Sequence, residues 1–194
     1  DRLNVLESFD PIIPDNYKDC KYLMLGNLVP AIQLRVLEQL ENRPKLIVMD
    51  TMNLWMDATM DDLKKMIKLV DVLTINDEEA RQLAEENNLV KAAEKIQRMG
   101  PSILIIKKGE HGALLFGKEG EIFFAPALPL KNVIDPTGAG DTFAGGFMGH
   151  LSKTDDISFD NMKKALIYAS TMASFCVETF GPEGLENLEN KDIE

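Results

Sequence analysis

The sequence has 194 residues, 21 Lys+Arg against 32 Asp+Glu for a formal charge of −11, 45% hydrophobic and 27% charged residues. A chain of this size buries roughly 70% of its unfolded surface, enough for one soluble globular domain over residues 1–194 without a disulfide or structural metal. The negative charge without a Lys/Arg stripe argues against nucleic acid as a partner, and no apolar run reaches the roughly 18 residues of a membrane span. Cys20 and Cys176 fit neither a disulfide framework nor a zinc spacing and read as small buried hydrophobes, which makes a reducing cytoplasm the expected location.

Short apolar runs alternate with helical periodicity along the chain. A run at 22–25 leads through Pro30 into a helical pattern at 31–40, and a run at 46–49 ends at Asp50 before a second helical pattern at 61–70. A third run, 72–75, feeds Asn76, an expected N-cap for an acidic helix start over 77–86. A helix over 90–99 and a strand over 103–106 follow. Runs without polar alternation, separated by helices, predict a parallel sheet covered on both faces. Beyond Gly109 the pattern changes to a hairpin, 113–116 and 121–125 about a Gly-Lys-Glu-Gly turn, then an apolar-bearing segment at 131–134. Helices over 139–151 and 159–178 close the chain, the second stopping before Gly181 and Pro182, and the acidic tail is expected to fray.

Two phosphate-loop patterns fail on inspection. Gly112 to Lys118 spells G-x-x-x-x-G-K, but Glu119 stands where Ser or Thr should hold magnesium, and the intervening Ala-Leu-Leu-Phe is a strand. Gly138 and Gly140 open a G-x-G-x-x-G pattern, but Phe143 replaces the third glycine, which argues against a dehydrogenase on a similar sheet.

Residues 135–141 read Asp-Pro-Thr-Gly-Ala-Gly-Asp and run on into Thr142, Phe143, Ala144, Gly145 and Gly146. Small residues permit a sharp turn, and a helix starting there aims its unpaired N–H groups at that turn, which favours an anion. Asp141 falls in the first helical turn, placed to stabilise the helix end and to act as a base beside a docked anion. On the residues alone the string also reads as a helix-start turn, with Gly145 and Gly146 allowing close packing.

The string resembles the C-terminal signature of the ribokinase-like, PfkB-type carbohydrate kinases, D-T-x-G-A-G-D followed by x-F-x-G-G. Asp135, Gly138, Ala139, Gly140, Asp141, Phe143, Gly145 and Gly146 match, and Pro136 takes the usual Thr position. The resemblance implies a three-layer α/β/α sandwich with a mostly parallel, Rossmann-like sheet, and ATP-dependent phosphorylation of a hydroxymethyl group on a sugar or nucleoside. It implies Asp141 as general base and the amides of Gly138, Ala139 and Gly140 as an anion hole, a division of labour that suits phosphoryl transfer.

The same resemblance reaches further along the chain. Residues 74–79 resemble an N-x-x-E motif, which implies that Asn76 and Glu79 place Mg²⁺ and the ATP phosphates, largely through water. By themselves these residues read as an N-cap with an acidic first turn. Gly109 and Gly112 match T-x-G-x-x-G with Lys107 in the Thr position, where it either meets a phosphate or is a solvated strand-end charge. Asp50 to Asn53 resembles D-P-N, with Trp55 where Arg is common. Leu28 stands where ribokinases proper carry an acidic sugar contact, which weakens ribose as the substrate and leaves Asn27 as the polar contact. Ser170 takes a position near adenine, and carbonyls near Asp135 and Thr137 are where the family holds a K⁺ ion. A small-molecule sugar or nucleoside is the expected partner, with a homodimer left open as the assembly. The resemblance runs over about 22–182, without the family's N-terminal Gly-Gly-x-N segment and β lid, so the chain is expected to be the nucleotide-binding and catalytic portion of a longer protein. The alternative is a non-catalytic nucleotide-binding module, against which the retained Asp141 speaks.

Overall fold

The computed structural model describes residues 9–186, 188, 189 and 193. Part of the acidic tail expected to fray, residues 187, 190–192 and 194, lies outside the described residues.

Strands β1 (Tyr22–Leu25), β2 (Leu46–Asp50), β3 (Val72–Asn76) and β4 (Ile103–Lys107) lie side by side in chain order and run parallel. The hairpin β5 (Ala113–Phe116) and β6 (Ile122–Ala125) extends the sheet in the antiparallel sense. The unbroken apolar runs have a direct cause, because successive residues of a strand face opposite sides and both sides are covered. Ile47, Met49, Leu73, Ile75, Leu104 and Ile106 enter one core, while Leu46, Val48, Val72, Ile103, Ile105 and Leu115 enter the other.

Five helices contribute to the first layer, α1 (Pro30–Glu38), α2 (Asn53–Ala58), α3 (Met60–Ile67), α4 (Asp77–Ala84) and α5 (Leu89–Gln97). In α3 the buried Leu63, Met66 and Ile67 recur at helical spacing, with Asp61 and Asp62 in the first turn and Lys64 and Lys65 in the last, signs that suit the helix dipole. The opposite layer is the pair α6 (Ala139–Thr154) and α7 (Phe159–Val177), crossing where Gly146 lets the helices approach: a Cβ there would stand 3.1 Å from the Ala169 Cα. The α/β/α sandwich is therefore as the sequence predicts. At the far end of α6, Asp155 accepts hydrogen bonds from Lys21, Tyr22 and Lys45, fastening the helix to the starts of β1 and β2. Those donors, Lys21 first, hold its carboxyl well below the usual carboxylate range.

Two features depart from the sequence reading, an added helix and the exposure of Cys20. Helix α2 is an addition: a single short turn-and-a-half that buries Trp55 and Met56, too brief to leave a periodic pattern. Residues 126–138, with the apolar-bearing segment 131–134, form neither helix nor strand, and the Ile134 and Asp135 amides donate to the Val177 carbonyl at 2.8 and 3.3 Å. Cys176 is buried as expected, whereas Cys20 is only half-buried; both are free thiols. No helix among the described residues is long and apolar enough to cross a membrane.

Candidate active site

The carboxyl ends of the parallel strands and the first turn of α6 enclose a cleft of about 1190 Å³. Each strand delivers a polar residue as its apolar run ends: Asp50 from β2, Asn76 from β3, Lys107 from β4, and Asn27 just beyond β1. Ligand sites in open α/β sheets collect at this edge because the strand ends and the helix starts that follow them leave backbone groups unpaired there. Of the residues singled out in the sequence, Asn27, Asn76, Glu79, Lys107, Gly109, Gly112, Ala139, Gly140, Asp141 and Ser170 all line this cleft. Gly138, Asp135 and Thr137 belong to the turn behind its wall.

In that turn the Thr137 amide donates to Asp135 Oδ1 at 2.9 Å, and hydrogen bonds from Thr137 keep the Asp135 carboxyl below its ordinary value. Gly138 caps α6 with φ +82°, a conformation that explains the glycine without any ligand. The Ala139 amide is engaged by the Pro136 carbonyl at 3.2 Å. Among the described residues the amides of Gly138, Gly140 and Asp141 have no partner, so of the three amides the sequence suggests only that of Ala139 is taken up, and the Asp141 amide is open as well. The Asp141 side chain is exposed to the cleft and likewise unpartnered among the described residues.

Beneath this helix start lies a charged cluster. Lys107 Nζ donates to Asp50 Oδ1 at 2.9 Å, and Thr74 Oγ1 donates to the same oxygen at 2.6 Å. Asp50 and Lys107 side chains are 6% and 18% exposed, so the pair is held in a largely desolvated setting. A Cβ added to Gly140 would stand 3.3 Å from Lys107 Nζ, which puts the ammonium directly against the first turn of α6.

Glu79 sits beside this cluster in a capping box: its Oε2 accepts from the Asn76 amide, and Asn76 Oδ1 accepts from the Glu79 amide, both at 2.8 Å. Burial pushes the Glu79 carboxyl up, against the lowering influence of the Asn76 amide and Lys107. The N-cap reading of Asn76 is thus correct, and the box leaves Glu79 as a buried carboxylate lining the cleft.

Other features were invisible in the sequence. Trp55 Nε1 donates to Asn27 Oδ1 at 2.7 Å, and Asn27 Nδ2 contacts Met52 Sδ at 3.0 Å, so the amide is oriented by the helix that periodicity missed. Thr51 Oγ1 is buried at the cleft without a partner among the described residues. Ala127, Leu128 and Val133 from the loop and Val177 from α7 give the cleft an apolar lining, which it shares with Ser170 of α7.

A family model for the pfkB family of carbohydrate kinases matches residues 9–187, nearly the whole chain. The chain belongs to the pfkB family. It is 30% identical over 146 residues to the cytidine kinase of Thermococcus kodakarensis, covering 73% of this chain and 51% of that protein. The nucleoside kinase of Burkholderia thailandensis in complex with inosine superposes with a TM-score of 0.72 at 25% identity, covering 89% of this chain and 54% of that one. A ribokinase II-type protein of E. coli in complex with ATP and Mg²⁺ gives a TM-score of 0.71 at 21% identity, covering 87% and 56%, and shows the shared fold. The chain spans about half the length of these pfkB relatives.

Proposed function

We propose that the protein is an ATP-dependent phosphotransferase that phosphorylates a hydroxymethyl group of a nucleoside or sugar, and that this chain carries its nucleotide site and catalytic base. The observation that carries this reading is the first turn of α6, where a partnerless carboxylate, Asp141, and two open amides share one cleft with Lys107. Such a site receives an oxyanion on backbone dipoles that are already aligned, which lowers the cost of reorganising around a transferring phosphoryl group.

The residues present fit Mg²⁺. Glu79 is a carboxylate kept at the cleft floor despite its desolvation, and Asn76 holds it in place, a donor set that suits an ion retaining most of its waters. When bound with ATP, Mg²⁺ supplies positive charge against the phosphates. The open amides of Gly140 and Asp141, with Gly109 at the end of β4, face the phosphates, and the apolar lining that Ser170 shares takes the adenine. Asp135 and Thr137 stand behind the wall, leaving their carbonyls as the candidates for a K⁺ ion. Asn27 meets the acceptor, and Leu28 in place of an acid favours a nucleoside over free ribose, as does the similarity to a cytidine kinase.

Asp141 takes the proton of the attacking hydroxyl. A carboxylate on the first turn of a helix is near the anion that the helix start receives and within reach of a hydroxyl attacking it. Asp141→Asn tests this: turnover on nucleosides and ribose falls by roughly 10² to 10⁴ while Mg·ATP affinity by calorimetry is unchanged or slightly tighter, since a negative charge near the γ-phosphate is removed. Near wild-type turnover in Asp141→Asn refutes the assignment of the base.

A further inference from the structure

The cleft floor is acidic. Asp50, Glu79 and Asp141 line it, and Lys107 is the only lysine or arginine among the described lining residues. A bare cluster of this kind repels a triphosphate, so the position of the one ammonium decides how the site treats phosphate. That position is tightly specified. Asp50 is the last residue of β2 and pairs in register with Thr74, whereas Lys107 ends β4 and pairs with Asn76, so the lysine stem crosses the end of β3 to reach a carboxylate that Thr74 already holds. The ammonium is thereby brought to 3.3 Å from where a Gly140 Cβ would be, beside the open amides.

We infer that Lys107 is the cation that meets the transferring phosphoryl group, and that Asp50, braced by Thr74, is the residue that positions it. The inference rests on the nucleotide site proposed above and assigns the charge within it. An ammonium has three N–H groups, so Lys107 donates to Asp50 and to a phosphoryl oxygen together and need not leave its anchor. In the transfer, the bond from the γ-phosphorus to the ADP oxygen breaks, a bond to the acceptor oxygen forms, and the electron pair leaves with ADP. The hydroxyl proton goes to Asp141. Lys107 keeps its proton throughout and balances charge on the group in motion. Because a lysine loses much rotamer freedom when it binds, fixing it beforehand on a buried carboxylate removes that cost from the reaction.

The experiment is a double-variant cycle read by calorimetric affinity for Mg·ATP and Mg·ADP: wild type, Lys107→Thr, Asp50→Asn and both together, with Lys107→Arg as the conservative variant. The cation role predicts that Lys107→Thr weakens Mg·ATP by roughly tenfold or more, the range of a hydrogen bond to a charged group, and Mg·ADP by much less. Asp50→Asn lowers the ATP-to-ADP ratio in the wild-type background and leaves it unchanged in the Lys107→Thr background, because positioning acts only through the lysine. Lys107→Arg retains most of the ratio. The double variant removes both buried charges and so keeps the cycle readable if Lys107→Thr alone folds poorly. Recovery of the wild-type ratio in the double variant overturns the inference, since Lys107 would then do no more than mask Asp50. An unchanged ratio in folded Lys107→Thr overturns it as well and leaves the nucleotide site standing. Failure of the wild-type protein to bind Mg·ATP removes both.

Discussion

Gly109 and Gly112 occupy matching places in one sequence motif, yet the structure gives alanine very different costs at the two. Gly112 has φ +88° and ψ −147°, a region reserved for glycine, and a Cβ there would stand 2.0 Å from the Ala125 carbonyl oxygen and 2.8 Å from the Pro126 Cα. The backbone conformation alone costs about 1 to 3 kcal/mol. The contact is with main chain leaving β6, which cannot rotate away, and overpacking of this kind costs about 1 to 3 kcal/mol more. Gly109 has φ +54° with nothing within 4 Å of its Cβ position, so alanine there costs only the left-handed penalty of about 1 to 2 kcal/mol. Urea unfolding of the two variants is therefore expected to separate them by about 2 kcal/mol or more, at similar m-values. At the proposed nucleotide site the order is expected to reverse: Gly109 lines the cleft with open space at its Cβ position, and Gly109→Ala weakens Mg·ATP in a well-folded protein. Equal loss of stability in the two variants refutes the reasoning.

Burial raises the Glu79 carboxyl above its ordinary value of 4.5, so the folded state holds this proton more tightly than the unfolded chain. Its contribution to stability is therefore present below 4.5 and is lost as pH rises through the raised value. The stability of Glu79→Gln relative to wild type should improve across that window in pH-dependent urea titrations, and a flat or falling difference contradicts the desolvation. Trp55→Phe removes the indole N–H held by Asn27 at 2.7 Å; about 0.5 to 1.5 kcal/mol of stability goes with the hydrogen bond, and KM rises for the acceptor but not for ATP. An unchanged acceptor KM would mean that Asn27 needs no orienting partner.

What the sequence reveals follows the range over which each signal acts. The strands of the parallel sheet are legible because burial on both faces leaves no polar residue within their runs, and α4 is legible because its capping box lies within four consecutive residues. The turn before α6 is recognisable as a sharp helix start, but which amides are open depends on the Pro136 carbonyl folding back onto Ala139, which glycine spacing does not encode. Helix α2 escaped because six residues hold too little periodicity, and with it went the Trp55 to Asn27 contact across 28 positions. The ion pair of Asp50 with Lys107 spans 57 positions and is set by strand register, so each residue is visible in the sequence as a strand-end charge and the pairing is not.

Register and alternation together explain why that pair sits beneath α6 and not elsewhere. Side chains two apart on a strand share a face, so Asp50 lies on the face of Val48 and Leu46, Thr74 on that of Val72, and Lys107 on that of Ile105 and Ile103. All of those apolar residues belong to the core that α6 and α7 cover. The polar ends of β2, β3 and β4 therefore emerge on the side where α6 begins, and the lysine meets the helix start without any loop to bring it there. A slip of one residue in β2 would turn Asp50 to the opposite layer, toward Met49 and Ile47, and leave the ammonium without its anchor. The large apolar residues that lock the register are thus what aim the charge: Val48, Val72 and Ile105 are fully buried, and each sits two residues before the polar side chain it directs. Placing the charge on the rigid end of a sheet, with Asp141, the proposed base, on the rigid start of a helix, holds both in place before a substrate arrives.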